Sequence, residues 1–189
     1  MREKPVILAS EEVARSRIFR VEQLQLRFSN GVERTYERLR GKAGGFGAVM
    51  IVAMTDAEHV VLVEEYCAGS EDYELSLPKG LIDPGEDALQ AANRELQEEA
   101  GFAARSLEFI TELSLSPGYM SQRISVVLAR DLYPSRLLGD EPEQMRVETV
   151  SLRNLLGLLE HPQFTEGRAL AAMYVVRDLL QQRGELTVL

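Results

Sequence analysis

The chain has 189 residues, 45% of them hydrophobic, and a formal net charge of −9. That length fits one domain, with room for a small appendage, and is enough to bury a substantial core. The negative charge argues against a nucleic-acid polymer as the main ligand, because binding to a phosphate backbone normally requires a basic stripe, whereas small phosphorylated ligands can be neutralised by a metal ion and local arginines.

The N-terminal residues 1–17 contain no apolar run of the length that a signal peptide needs. No segment approaches the about 18 consecutive apolar residues of a membrane span. Cys67 is the only cysteine, which excludes an internal disulfide and suits a reducing compartment. We therefore expect a cytoplasmic protein that does not contact a membrane.

The first predicted element is a β-hairpin near the N-terminus. Two alternating runs, residues 19–28 and 32–39, are separated by Ser29, Asn30 and Gly31, and an Asn-Gly pair between such runs is a strong hairpin signal. The glycine-rich residues 41–47 that follow indicate a flexible connection. We therefore expect an N-terminal hairpin region over residues 1–45 and a main domain over residues 46–189.

The main domain is predicted to alternate strands and helices. Near-continuous apolar character in its first two runs predicts strands that are covered on both faces. Mixed strands bracketed by helices predict an α/β fold, an α/β/α layered sandwich with a mixed sheet. The predicted strands are 48–54, 59–66, 73–77, 107–115, 123–130 and 146–150, and the predicted helices are 87–100, 152–159 and 166–182.

The helix over residues 87–100 carries an unusual concentration of acidic side chains. Glu95, Glu98 and Glu99 are three and four positions apart and project from one helical face, and Glu86 lies near the helix start. Like charges at this spacing repel each other. A hard divalent cation reverses that effect, because Mg²⁺ takes oxygen ligands and joins carboxylates to substrate phosphates. The pattern therefore predicts a metal site.

The segment 80–102 resembles the signature motif of the Nudix hydrolases. The resemblance implies an α/β/α fold whose catalytic body spans residues 48–159. It also implies cleavage by water of the pyrophosphate bond in a nucleoside diphosphate linked to a further group, with Mg²⁺ or Mn²⁺. The matching positions are Gly80, Glu86, Arg94, Glu95, Leu96, Glu98, Glu99, Gly101 and Phe102.

The same resemblance assigns roles to residues of the motif. Glu95 and Glu99 are implied as direct metal ligands, Glu98 as a third ligand, Glu86 as an outer one, and the backbone carbonyl of Lys79 as a further ligand. Arg94 lies one turn before Glu98 and is expected to orient the carboxylates through charge-assisted hydrogen bonds.

The general base is expected outside this helix. In relatives that cleave ADP-ribose it lies on a mobile acidic loop, and residues 139–143 occupy the matching place here. Glu141 and Glu143 are therefore the candidates, although a solvated acidic turn explains the same residues. A glutamate close to the metal, such as Glu98, is the alternative, because a bound cation lowers the pKa of coordinated water.

Features outside the motif reduce the range of possible substrates. Pro117 lies 16 positions beyond Gly101, similar to a marker of Nudix enzymes that act on ADP-ribose and related ADP compounds. The implied substrates are ADP-ribose, NADH and diadenosine polyphosphates, with AMP as product, and the implied assembly is a homodimer formed through the N-terminal region. Lys79 replaces the small residue usual in the ADP-ribose-specific branch, which argues against strict specificity. Candidate stacking residues are Phe46, Tyr66 and Tyr119.

Two other functions fit parts of the pattern. One is a pyrophosphatase of the same family that acts on nucleotide sugars or nucleoside triphosphates. The other is a binding module that senses ADP-ribose without cleaving it. Such modules commonly lose motif carboxylates, whereas all four glutamates are present here.

Overall fold

The computed structural model describes residues 2–40, 47–140 and 142–187. The described chain forms two compact units. The first contains residues 2–40 together with 114–123, and the second contains residues 47–113 and 124–187. The segment 114–123 thus belongs to the first unit, although the sequence predicted it within the main domain. The predicted glycine-rich connection lies largely outside the described residues.

The first unit is built on a three-stranded antiparallel sheet in the order β1-β2-β3. Its strands are β1 (Val6–Arg15), β2 (Arg20–Arg27) and β3 (Glu33–Arg40). Strands β2 and β3 form the predicted hairpin, and Gly31 adopts a φ of 81° in its turn. Strand β1 was not predicted. All ten of its residues are exposed, so no burial pattern marks it as a strand.

The first unit buries little. Among its described residues only Glu22 and Leu24 are buried. The Glu22 carboxylate accepts hydrogen bonds from Arg38 at 2.6 Å and from Arg40 at 2.8 Å. Hydrogen bonding to Ser10 and to these two arginines lowers the pKa of Glu22 to about 2. The centre of this sheet is therefore largely ionic.

The second unit contains two sheets. A four-stranded mixed sheet has the order β7-β4-β9-β8, with β4 parallel to β9 and antiparallel to β7, and a three-stranded antiparallel sheet has the order β10-β5-β6. The strands are β4 (Ala48–Ala53), β5 (His59–Cys67), β6 (Asp72–Ser76), β7 (Lys79–Leu81), β8 (Phe102–Ser114), β9 (Arg123–Pro134) and β10 (Arg146–Ser151). Each predicted strand is present, and the three-residue β7 is an addition.

Helices cover both faces of the central strand β4. Helix α1 (Ala88–Glu95) packs in the same apolar cluster as Val49 and Ile51, and helix α3 (Gly167–Gln182) packs with Met50 and Val52. This arrangement confirms the predicted α/β/α sandwich. The helix predicted over residues 152–159 is a 3₁₀ turn, Leu152–Asn154, followed by the short α2 (Leu155–Leu158). Among the helices that the structure describes, none has the length and apolar character to cross a membrane.

The helix that carries the glutamates has well-defined ends. Asp87 accepts hydrogen bonds from the backbone N–H groups of Leu89 and Gln90, and the Gln90 side chain accepts one from the Asp87 N–H, which forms a capping box. After α1 the chain continues as a π-helical turn, Leu96–Ala100, and Gly101 ends it at a φ of 76°. The helical segment thus ends at residue 100, as predicted, whereas the π turn was not predicted. It changes the spacing of side chains where Glu98 and Glu99 lie.

Candidate active site

Arg94 lies at the centre of the glutamate cluster. Its Nε and Nη2 donate to the two carboxylate oxygens of Glu86, both at 2.9 Å. Its Nη1 donates to Glu95 at 2.8 Å and to Glu98 at 2.9 Å, and Nη2 also donates to the carbonyl of Leu81 at 2.8 Å. The Glu86 carboxylate is the largest contributor to the raised pKa of Arg94. One guanidinium therefore fixes three of the four predicted acidic ligands.

Glu99 is held separately from the other three glutamates. Its side chain is buried, and one carboxylate oxygen accepts the backbone N–H of Lys79 at 3.0 Å. The Lys79 ammonium donates to Glu65 at 2.7 Å. Burial raises the pKa of Glu99 to about 8, although the Lys79 charge and N–H act in the opposite direction. The buried carboxyl therefore lacks sufficient positive charge around it at neutral pH.

The missing side chain of Gly80 makes room for Glu95. A Cβ atom built on Gly80 would lie 2.0 to 2.3 Å from the carboxylate atoms of Glu95. No real contact is that short, so any side chain at position 80 displaces this carboxylate. The motif glycine is therefore required by the position of Glu95.

Replacement of Gly80 by alanine is expected to weaken metal binding more than it weakens the fold. The methyl group displaces the flexible end of Glu95, so we expect metal affinity and kcat/KM to fall by at least about tenfold while stability changes by less than about 1 kcal/mol. Metal titration calorimetry and thermal unfolding measure the two effects. Gly69→Ala is the matched control, because a Cβ there meets no atom within 4 Å. Equal metal affinity in both variants would contradict this explanation.

The donor set fits a hard divalent cation. Glu95 and Glu99 offer buried carboxylate oxygens, which are the ligand type that Mg²⁺ prefers. Over the described residues, no three acidic, histidine or cysteine side chains are arranged so that together they could hold a metal ion. The carboxylates are instead shared between Arg94 and Lys79. A cation bound here would compete with hydrogen bonds that the carboxylates make to Arg94.

Of the two candidate bases, Glu141 and Glu143, the structure describes only Glu143. Glu141 lies outside the described residues. Glu143 accepts a short hydrogen bond from the Tyr73 hydroxyl, and it lines a cavity together with Glu65, the partner of Lys79. The bond described for Glu143 is thus to Tyr73, and its role as a base stays a prediction.

The segment just before the acidic loop is attached to the glutamate-bearing helix through Gln97 and Gly101. The Ser135 hydroxyl donates to the Gln97 side chain at 2.8 Å, and the Ser135 N–H donates to the carbonyl of Gly101 at 3.0 Å. The Leu137 N–H donates to the carbonyl of Gln97 at 3.3 Å. These contacts were not predicted from the sequence. Their only sequence signal was an uncharged polar residue, Gln97, among the acidic residues of the helix.

An α/β/α sandwich with this glutamate cluster on its central helix defines a class of enzymes, and comparison with known proteins identifies it. Residues 46–171 match the NUDIX domain, and residues 5–38 match the NudE-type Nudix hydrolase N-terminal domain. The chain belongs to the Nudix hydrolase family. The resemblance predicted from the spacing of nine motif positions is thereby confirmed.

Individual relatives resemble the chain over much of its length. It is 49% identical to the ADP compounds hydrolase NudE of Escherichia coli (strain K12), over 97% of each chain. It is 32% identical to the ADP-ribose pyrophosphatase of Bacillus subtilis (strain 168), over 71% of this chain and 75% of that one. A crystal structure of an ADP compounds hydrolase matches with a TM-score of 0.90 and 48% identity, covering 98% of this chain and 99% of that one.

Proposed function

We propose that the protein hydrolyses the pyrophosphate bond of ADP-linked compounds with a divalent cation, Mg²⁺ or alternatively Mn²⁺, and releases AMP. The observation that carries the proposal is the cluster of Glu86, Glu95 and Glu98 around Arg94, with Glu99 buried beside Lys79. Similarity to an ADP compounds hydrolase over 97% of the chain supports the ADP part of the substrate.

Several motif residues would bind the cation together. Glu95, Glu98, Glu99 and the Lys79 carbonyl would hold the cation, with Glu86 farther out. When bound, the cation supplies positive charge to the pyrophosphate oxygens, which repel an incoming nucleophile. Arg94 keeps the carboxylates in position when substrate enters and leaves, because its planar guanidinium donates to all three at once.

The proton of the attacking water needs an acceptor. Glu143 and Glu141 are the proposed bases, and Glu98 is the alternative within the cluster. Water adds to one phosphorus atom, the bridging P–O bond breaks, and the bridging oxygen leaves with the other phosphate. From ADP-ribose the two products are AMP and ribose 5-phosphate.

A substrate panel tests the proposal. Purified protein is incubated with ADP-ribose, NADH, diadenosine triphosphate, a nucleotide sugar and a nucleoside triphosphate, with Mg²⁺, Mn²⁺ or a chelator, and the products are identified by mass spectrometry. We expect AMP from the ADP-linked compounds in the presence of either metal. Release of pyrophosphate from the triphosphate alone would favour the other pyrophosphatase activity, and binding of ADP-ribose without any product would favour a sensing module.

We further propose that the protein is a homodimer joined through its first unit. Strand β1 is an edge strand, and its ten residues are exposed. An exposed strand edge and exposed apolar side chains are features of interaction sites. Sedimentation equilibrium should give twice the 21.2 kDa of one chain, and a single-chain mass would reject the dimer. The exposed apolar side chains of this unit include Val6, Ile7, Leu8, Val13, Ile18 and Phe19.

A cytoplasmic location is also part of the proposal. It is supported by the single cysteine, Cys67, whose thiol is free and half-buried. Cell fractionation with an antibody against the native protein tests it, and recovery in an extracytoplasmic fraction would refute it.

A further inference from the structure

The cavity lined by Glu65 and Glu143 lies in the same unit as the glutamate cluster. Its volume is about 350 Å³, within the range of small-molecule sites. It is bounded by the end of β5, the start of β6 and residues 142–146, which include the end of the acidic loop. The lining residues that matter here are Glu64, Glu65, Tyr66, Tyr73, Glu143 and Met145.

Two tyrosines give the cavity an aromatic wall. The rings of Tyr66 and Tyr73 meet edge to face, with centroids 5.6 Å apart and an interplanar angle of 72°. Their residues are 53% and 39% exposed, so these rings are not core residues. The hydroxyl of Tyr73 donates to Glu143, which fixes the orientation of that ring. An aromatic ring of a ligand can stack against this wall.

The charges that line the cavity disfavour phosphate. Three glutamates line it, of which Glu65 is paired with Lys79, and the lining Arg146 is paired with Glu148 at 2.7 Å. Like charge disfavours a phosphate group there. One carboxylate oxygen of Glu64 accepts a hydrogen bond from the Gln163 side chain at 3.0 Å. A carboxylate can accept several more hydrogen bonds. The cavity therefore fits an uncharged planar ring that carries amino or amide N–H groups.

The cavity is connected to the glutamate cluster through one residue. The Glu65 carboxylate, which lines the cavity, accepts the Lys79 ammonium at 2.7 Å, and the Lys79 backbone N–H donates to Glu99 at 3.0 Å. A pyrophosphate bound at the cluster would therefore have one of its two substituents close to the cavity.

We propose that this cavity binds the second ring of a dinucleotide substrate, meaning the aromatic ring on the far side of the pyrophosphate from the AMP that is released. The second adenine of a diadenosine compound and the reduced nicotinamide of NADH both have the required chemistry. ADP-ribose has a sugar at that end and therefore no aromatic ring to stack against the two tyrosines. The inference rests on the proposed function, and it makes Tyr66 a residue that determines specificity among ADP-linked substrates.

Substitutions of Tyr66 test this inference. Tyr66→Ala and Tyr66→Leu should each lower kcat/KM for NADH and diadenosine triphosphate by at least about tenfold, because stacking on the ring is lost. The value for ADP-ribose should stay within about twofold of the unmodified protein. Tyr66→Phe keeps the ring, so kcat/KM for NADH and for diadenosine triphosphate should stay close to that of the unmodified protein. Tyr73→Phe keeps the second ring and removes only the bond to Glu143, so it separates stacking from positioning of the loop. Tyr133→Leu, a tyrosine of β9 that packs under Arg105, is the matched control.

Direct binding of NADH, followed by its fluorescence, provides a readout that does not depend on turnover. We expect weaker binding to Tyr66→Ala than to the unmodified protein or to Tyr66→Phe. Equal losses for ADP-ribose and NADH would overturn the inference, because the cavity would then serve a part common to both substrates. Unchanged kinetics and binding in all variants would overturn it as well. In either case turnover of ADP-ribose by the unmodified protein reports separately on the proposed function.

Discussion

Replacement of Glu98 or Glu99 by glutamine is expected to lower kcat by at least about 10²-fold, which corresponds to roughly 2.7 kcal/mol on the barrier. Glutamine has nearly the same shape as glutamate but carries no charge and offers one oxygen fewer. Its amide oxygen can still accept the Lys79 N–H at position 99 or the Arg94 guanidinium at position 98. The fold should therefore survive while the proposed cation site is weakened.

Steady-state kinetics with ADP-ribose and saturating Mg²⁺ measure this effect, and circular dichroism confirms that the variants are folded. Glu160→Gln is the matched control, because Glu160 is exposed after α2 and far along the chain from the motif. Turnover equal to that of the control in both motif variants would refute the roles proposed for Glu98 and Glu99.

Arg94 substitutions are expected to have the second large effect. Lysine cannot reproduce the bidentate contact with Glu86 and at the same time hold Glu95 and Glu98. Arg94→Lys should therefore lower kcat/KM by at least about tenfold. Arg94→Ala removes the guanidinium that pairs with three of these carboxylates, and we expect a loss of about 2–4 kcal/mol in unfolding free energy, discounted for a side chain that is 23% exposed.

Added Mg²⁺ distinguishes a local electrostatic role from a general packing role for Arg94. A cation held by the same carboxylates should restore more stability to Arg94→Ala than it adds to the unmodified protein. Urea unfolding with and without Mg²⁺ measures the difference. Arg153→Lys, which alters an exposed ion pair with Glu58, should change neither kinetics nor stability. An Arg94→Ala variant that is insensitive to Mg²⁺ would contradict the shared use of these carboxylates.

Much of the second unit was predictable because its sequence carries strong local signals. The residues of β4 are all buried, and the corresponding apolar run marked it as a central strand.

In the first unit, the hairpin of β2 and β3 was predicted from Asn30 and Gly31. Strand β1 was missed because it is exposed throughout, and β7 because three residues that include Gly80 are too few to show a period.

The sequence predicted which residues form the candidate site better than it predicted how they contact each other. The spacing of Arg94 and Glu98 placed them one turn apart, and the structure has them in contact at 2.9 Å. The contacts of Arg94 with Glu86 and of Glu99 with the Lys79 N–H join positions 8 and 20 residues apart. They depend on the path of the loop before the helix and on the π turn, neither of which has a local sequence signal.

The bond between Tyr73 and Glu143 joins residues 70 positions apart. Such contacts depend on the packing of β6 against the end of the acidic loop, which only the folded structure defines.

Crystals grown with Mn²⁺ and a non-hydrolysable ADP-ribose analogue provide the most direct test of the whole account, because anomalous scattering locates the manganese without ambiguity. We predict an anomalous peak that lies between the carboxylates of Glu95 and Glu99 and next to the two phosphates of the analogue. Manganese bound elsewhere, with Glu95 and Glu98 still hydrogen-bonded to Arg94 alone, would contradict the claim that these glutamates exist to hold the catalytic cation.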